Sequence, residues 1–107
     1  MGIKPVLSTL TVTTAGTATQ CAANSLTCIS VYFEALDTNA GAIYIGDSTV
    51  STTKYITKLA AGSGFGISTD AQGHGLGGEI QLTTVWVNAA SSGDKVQMTY
   101  LPRTGGF

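Results

Sequence analysis

Charged side chains are scarce. Four Lys, one Arg, four Asp and two Glu make up 10% of the 107 residues, where an ordinary globular chain carries about 25%. With a net charge of −1, the chain has no sequence-wide basic patch for a nucleic-acid backbone and no polybasic membrane anchor. Histidine occurs once, at His74, so any histidine-based catalysis has to use that residue. No apolar run approaches the roughly 18 residues of a membrane-spanning helix. The opening Met1 to Leu10 is interrupted by polar residues, so it is not expected to act as a secretory leader, and Val6 stands where a myristoylation motif needs Ser or Thr. Synthesis in the cytoplasm is the resulting expectation.

Cysteine is also sparse. Cys21 and Cys28 are the only two, and no histidine lies near them. Two ligands do not complete a zinc site, and the spacing is not Cys-x-x-Cys. The pair could face each other across a hairpin turning at Asn24-Ser25. Reduced, mostly buried thiols are the expectation, with a disulfide as the alternative.

What fills the chain is Thr (17), Gly (14), Ala (12) and Ser (9), too many poor helix formers for any convincing 3.6-residue period. Leu, Ile, Val and Phe total 25 residues, enough for a folded chain of such low net charge. They make a small core, which favours oligomerisation.

Turn residues recur at short intervals, at Ala15-Gly16, Asn24-Ser25, Asn39-Ala40-Gly41, Gly46-Asp47-Ser48, Ala61 to Gly64 and Ser91 to Asp94. Between them lie β-branched and aromatic runs with period two. Leu7, Thr9, Thr11 and Thr13 alternate with Ser8, Leu10, Val12 and Thr14. Ile29, Val31, Phe33 and Ala35 oppose Ser30, Tyr32 and Glu34, and Ile43 and Ile45 oppose Tyr44. The run from Glu79 to Asn88 reads as one strand, and Val96, Met98 and Tyr100 alternate with Gln97, Thr99 and Leu101. The expected fold is all-β: a two-sheet antiparallel sandwich, jelly-roll-like, with seven or eight short strands. A single domain spans 1–107, with short arms at 1–6 and 102–107. The glycine-rich middle predicts a strand at Phe65 to Thr69 and a mobile loop at Ala71 to Gly78.

Catalytic motifs fail on context. Gly73-His74-Gly75-Leu76-Gly77-Gly78 spells G-x-G-x-x-G, but a dinucleotide site needs a helix to follow, and strand-like residues do. Glycines on both sides deny His74 the rigid seat of a general base. Gly46-Asp47-Ser48-Thr49-Val50 lacks the second glycine of a nucleophile elbow. Asp37, Asp47, Asp70 and Asp94 sit at turns, where the side chain is expected to bond its own backbone. No spacing supports a calcium loop. Leu101 to Gly105 matches the sortase signal L-P-x-T-G without the apolar span and basic tail that signal needs, so Pro102 is expected simply to end the last strand. The chain is therefore read as a non-enzyme with no catalytic residues, no cofactor and no metal. Tyr32, Tyr44, Tyr55 and Trp86 are the candidate interface residues, because Tyr and Trp concentrate at interface centres. Tyr32 and Tyr44 lie opposite the aliphatic faces of their strands, while Trp86 suits core or interface equally.

The stretch Asn39-Ala-Gly-Ala-Ile-Tyr-Ile-Gly-Asp-Ser-Thr-Val-Ser, followed by Leu59-Ala-Ala-Gly-Ser-Gly, resembles a pattern in small tailed-phage structural proteins. There a strand ending Ile-Tyr-Val/Ile-Gly leads through a Ser/Thr/Val turn to a Leu-x-x-Gly turn. The later Leu82 to Leu101 is similar to that family's closing hairpin. The resemblance runs from Ser30 to Leu101 with gaps. The Gly-rich 71–78 segment and a Thr-rich first hairpin depart from it.

The resemblance implies a capsid decoration (cement) protein, jelly-roll-like and often trimeric, seated on the outer shell and stabilising it against internal DNA pressure. The implied partner is the major capsid protein of a tailed phage, with a homo-oligomer, a trimer by the resemblance, and neither nucleic acid nor membrane. The implied location is the virion surface after synthesis in the host cytoplasm. Two other readings stand beside it: a tail-fibre or receptor-binding β-domain of a virion, and a bacterial β-sandwich binding module.

Overall fold

The structure, a computed structural model, describes residues 6–22, 27–68 and 80–102. Nine strands follow in chain order: β1 (Val6–Thr11), β2 (Thr19–Gln20), β3 (Thr27–Ala35), β4 (Ile43–Gly46), β5 (Thr57–Leu59), β6 (Gly64–Ser68), β7 (Ile80–Gln81), β8 (Trp86–Ala89) and β9 (Lys95–Pro102). They form two antiparallel sheets. The first runs β1-β9-β3-β6, with the short β7 also pairing β3, and the second runs β2-β8-β4-β5. The sandwich expected from composition and period is the fold observed, with nine strands in place of seven or eight.

With the two-residue β7 set aside, the pairings nest. β4 pairs β5, β3 pairs β6, β2 pairs β8 and β1 pairs β9. The folded ribbon is then rolled so that β9 also meets β3 and β8 also meets β4. That order is a jelly roll, the two-Greek-key solution to closing an antiparallel sandwich. It corrects three local expectations. β1, β2 and β3 alternate between the sheets, so there is no Thr-rich first hairpin, and Cys21 and Cys28 do not face each other across a hairpin. β8 and β9 also lie in different sheets, so the closing segment crosses the sandwich instead of pairing with itself. The Asn24-Ser25 turn falls outside the described residues.

The core lies between the sheets. Phe33, Ile43, Ile45, Leu82, Val87, Val96 and Met98 are buried there together with Cys28 and Val31. The period-two reading holds for β4 and β9, where Ile43, Ile45, Val96 and Met98 face inward and Tyr100 packs against the core margin.

It fails in two places, each with a local cause. In β3 the pairing with β9 shifts between Cys28 and Ser30. This bulge changes the parity, so the buried residue at that end of the strand is Cys28, not Ile29. In the run 79–88 a 3₁₀ turn, Leu82–Thr84, interrupts the predicted single strand. The Thr84 hydroxyl donates to the Gln81 carbonyl at 2.7 Å, and the Val85 N–H donates to Leu82 O at 3.3 Å. The turn moves the chain from the first sheet to the second. It also lets Leu82 and Val87, five positions apart, both point into the core.

The glycine-rich strand expected from Phe65 to Thr69 is β6, Gly64–Ser68. Of the expected arms, Val6 already belongs to β1 and Pro102 closes β9. The rest of both arms lies outside the described residues, as do Asp70, His74, the loop Ala71 to Gly78 and most of the L-P-x-T-G match.

Candidate functional site

The two outer faces of the sandwich are built differently. On the second sheet, Tyr44, Gly46, Trp86 and Asn88 alternate with inward residues and so point away from the core. Asn88 is nevertheless 1% exposed. The 47–56 connection and the 12–18 connection fold back over this face, and the Asn88 side chain holds both. Its Oδ1 accepts from the N–H of Gly16 at 3.0 Å and of Ala89 at 2.8 Å, while its Nδ2 donates to Val50 O at 3.0 Å. Val50 is buried directly over Gly46, where an added Cβ would meet Val50 Cγ2 at 3.0 Å.

Tyr44 sits under the same cover. Its ring packs against Tyr55 at 5.2 Å between centroids and 54° between planes, and Lys58 Nζ lies 5.9 Å above its centroid. Tyr44 is thus outward by strand parity, as expected, but only 6% exposed. This corrects its reading as a contact residue: the exposed aromatic here is Tyr55, at 44%, beside Ile56 at 65%. Gly46, Asp47, Lys54, Tyr55 and Ile56 line a shallow hollow of about 130 Å³. Trp86 is half-buried on this outer side and is not a member of the core cluster.

The first sheet carries no such cover over the described residues. Strand register sets Leu7, Thr99, Tyr32 and Gly66 in one row across it, with Thr9, Gln97, Glu34 and Gly64 in the next. Leu7 is 63% and Tyr32 48% exposed. The Tyr32 ring lies flat along β6, and a Cβ added to Gly64 would collide with its ring and hydroxyl. Glycines 64 and 66 therefore act as the floor on which the ring rests. Among the described residues, the charged groups of this face are Glu34 within it and Lys95 at one end. Sequence parity already paired Leu7 with Thr9 and Thr11; that the row continues to Tyr32 depends on β9 lying between β1 and β3, which no local pattern announces.

The aspartates divide by partner. Asp47 bonds its own turn as expected: its Oδ1 accepts from the Thr49 N–H at 2.8 Å and from the Thr49 hydroxyl. Those bonds, the hydroxyl's first, hold its carboxyl below the usual value. Asp94 departs from the expectation. Buried to 6% exposure, it accepts at 2.9 Å from the N–H groups of Ala40 and Gly41, more than fifty positions away. Asn39 returns the clamp, exchanging bonds of 2.7 and 2.8 Å with the Lys95 backbone. Asp94 thus closes one end of the sandwich, which a turn motif alone does not reveal.

Both cysteines are free thiols and buried, in line with the reduced expectation. Burial raises both pKa values, that of Cys21 to about 12, so neither is a ready nucleophile. Among the described residues no three His, Cys, Asp or Glu side chains come together as metal ligands, and no helix is long and apolar enough to cross a membrane. In comparison with known proteins, no family model, no curated protein and no solved structure matches the chain.

Proposed function

We propose that the protein is a structural component of a tailed-phage virion that binds the outside of the assembled capsid and stabilises the shell, with the major capsid protein as its partner. The observation that carries this reading is the bare outer face of the first sheet. It is a broad hydrogen-bonding surface in which Leu7 and Tyr32 stand exposed in one row and Glu34 is, among the described residues, the one acidic group. A surface of that kind suits a protein whose task is to adhere: few charges need desolvating, and an aromatic held against glycines loses little side-chain freedom on contact. A jelly roll with exposed Thr and Tyr binds without any reacting group.

Stabilisation follows from mass action. A protein that binds the assembled shell and not its dissociated subunits raises the stability of the shell at every occupied site. In this reading the chain is made in the host cytoplasm, self-associates, and needs no cofactor, metal, nucleic acid or membrane.

Copy number tests it first. Quantitative mass spectrometry of gradient-purified virions is expected to find this protein in numbers comparable with the major capsid protein. A handful of copies per virion sinks the shell reading and favours a tail location. There the hollow beside Tyr55, with Lys54 and Asp47 at its rim, would be the receptor-contacting feature, and adhesion of the isolated chain to host cells would support that second reading.

A further inference from the structure

Five strands form sheet edges among the described residues, and they are not equally protected. β2 and β7 have two residues each, and β5 has three, including Lys58. β6 has five, but Gly64 and Gly66 are two of them. Short length, an edge lysine and glycine are all devices that discourage another chain from pairing. β1, Val6–Thr11, has none of these. It is six residues long, VLSTLT, with no charge, no glycine and no proline. It pairs on one side only, with β9.

The direction of its backbone groups is fixed by one hydrogen bond. The Val12 N–H donates to Asp94 O at 2.9 Å, so Val12 faces the β9 side. In an antiparallel ladder successive residues alternate sides, each sending its N–H and C=O the same way. Leu10, Ser8 and Val6 therefore bond β9, and Leu7, Thr9 and Thr11 present three N–H and three C=O groups to the free edge. Their spacing is symmetric about Thr9.

We propose that β1 is the contact between two copies of this chain, paired antiparallel about a two-fold axis at Thr9. In that register Thr9 meets the Thr9 of the second copy, and Leu7 meets the second copy's Thr11 on both sides of the axis. All six edge groups of each strand are then bonded. A centre at Ser8 would set Thr11 opposite Pro5, which has no N–H to donate. No like charges meet, because β1 has none, and the central threonine pair is one that antiparallel sheets favour. The two first sheets become one continuous sheet with the exposed Leu7 and Tyr32 rows on the same side. An isologous contact of this kind gives a dimer, in place of the trimer that the family resemblance implies. It holds whether or not the capsid reading does.

Sedimentation equilibrium and native mass spectrometry of the full chain test it. The expected species at micromolar concentration is twice 10.9 kDa. Thr9→Pro removes an edge N–H and none of the bonds to β9, so it is expected to give a folded species of 10.9 kDa. If the proline variant fails to fold, Thr9→Lys and Thr9→Glu decide. Each alone sets like charges against each other at the axis and is expected to be monomeric, and an equimolar mixture is expected to recover the dimer. A monomeric wild type overturns the proposal, including the case where β1 accepts a strand from a different protein. So does an oligomer of any size that Thr9→Lys leaves intact, or a Lys and Glu mixture that stays monomeric.

Discussion

The outer faces of the two sheets obey the same alternation yet end in opposite states. On the second sheet the outward positions are roofed by the chain's own connections, with Tyr44 and Asn88 nearly inaccessible beneath. On the first sheet the outward positions stay open, and Tyr32 and Leu7 face solvent. Strand parity decides only which side of a sheet a residue is on. Whether that side meets water depends on a second layer, and here the Asn88 side chain bonds both connections of that layer. A face its own loops have covered contributes to stability, and a face left open is available for a partner.

Asn88→Ala attacks the difference most directly. It removes three hydrogen bonds, two of them anchoring the loops, and leaves the partner groups in a site with little water. A loss of about 3 kcal/mol is expected, read in urea or as a melting point lower by roughly 10 °C or more. Exposure of Tyr44 to solvent should accompany it, visible in tyrosine fluorescence. If stability is unchanged, the roof is not held by Asn88.

Asp94→Asn is the next largest. It keeps one acceptor oxygen for the Ala40 and Gly41 N–H groups and turns an amide donor toward the other, so a loss of about 1–2 kcal/mol is expected by chemical denaturation. A neutral result would mean that the end clamp rests on the Asn39–Lys95 exchange alone.

The open face should behave oppositely. Tyr32→Ala is expected to change stability by less than about 1 kcal/mol while weakening binding to purified capsids. Gly64→Ala sharpens that test, because the added methyl displaces the Tyr32 ring without deleting it. Loss of capsid binding in both variants would mean that the resting position of the ring matters; normal binding in both would remove Tyr32 from the contact.

The smallest effect belongs to Asp47. Its folded-state pKa is lowered, so the charged form adds stability above the unfolded value and that contribution fades as pH falls through the lowered pKa. Asp47→Asn retains the Thr49 bonds without the charge. The wild type is thus expected to lose a slight advantage over this variant below about pH 4, measured as the difference between their melting curves. A pH-independent difference would remove the charge from the account.

Fold class was legible because it rests on composition and on alternation, both properties of short windows. β4 and β9 could be read residue by residue for the same reason. Ile29 could not, since a bulge is defined by the partner strand and appears in a sequence only as a broken expectation. The 3₁₀ turn at Leu82–Thr84 was hidden because Leu-Thr-Thr continues a strand pattern as well as it ends one. Of the four aromatic candidates, the outward side of Tyr32 and Tyr44 was readable. The cover over Tyr44 was not, because it depends on Val50 and Asn88 meeting from 38 positions apart. Asp94 is the same lesson: its residue type suggested a local turn, and its partners lie in the distant connection between β3 and β4.

The nested pairing also bears on how the protein is made. β9, the last described strand, lies between β1 and β3 in the first sheet. While the ribosome is still adding residues 95–102, β1 has nothing to pair with and β3 is bonded on one side at most. Among the described strands, β4 and β5 alone are neighbours in sequence that pair with each other, and every other pairing closes a longer loop. Such topologies fold in milliseconds to seconds, far slower than helical bundles. The first sheet is therefore completed only after synthesis of β9, and a nascent chain stalled before residue 95 exposes both flanks of that gap to whatever other strand is nearby.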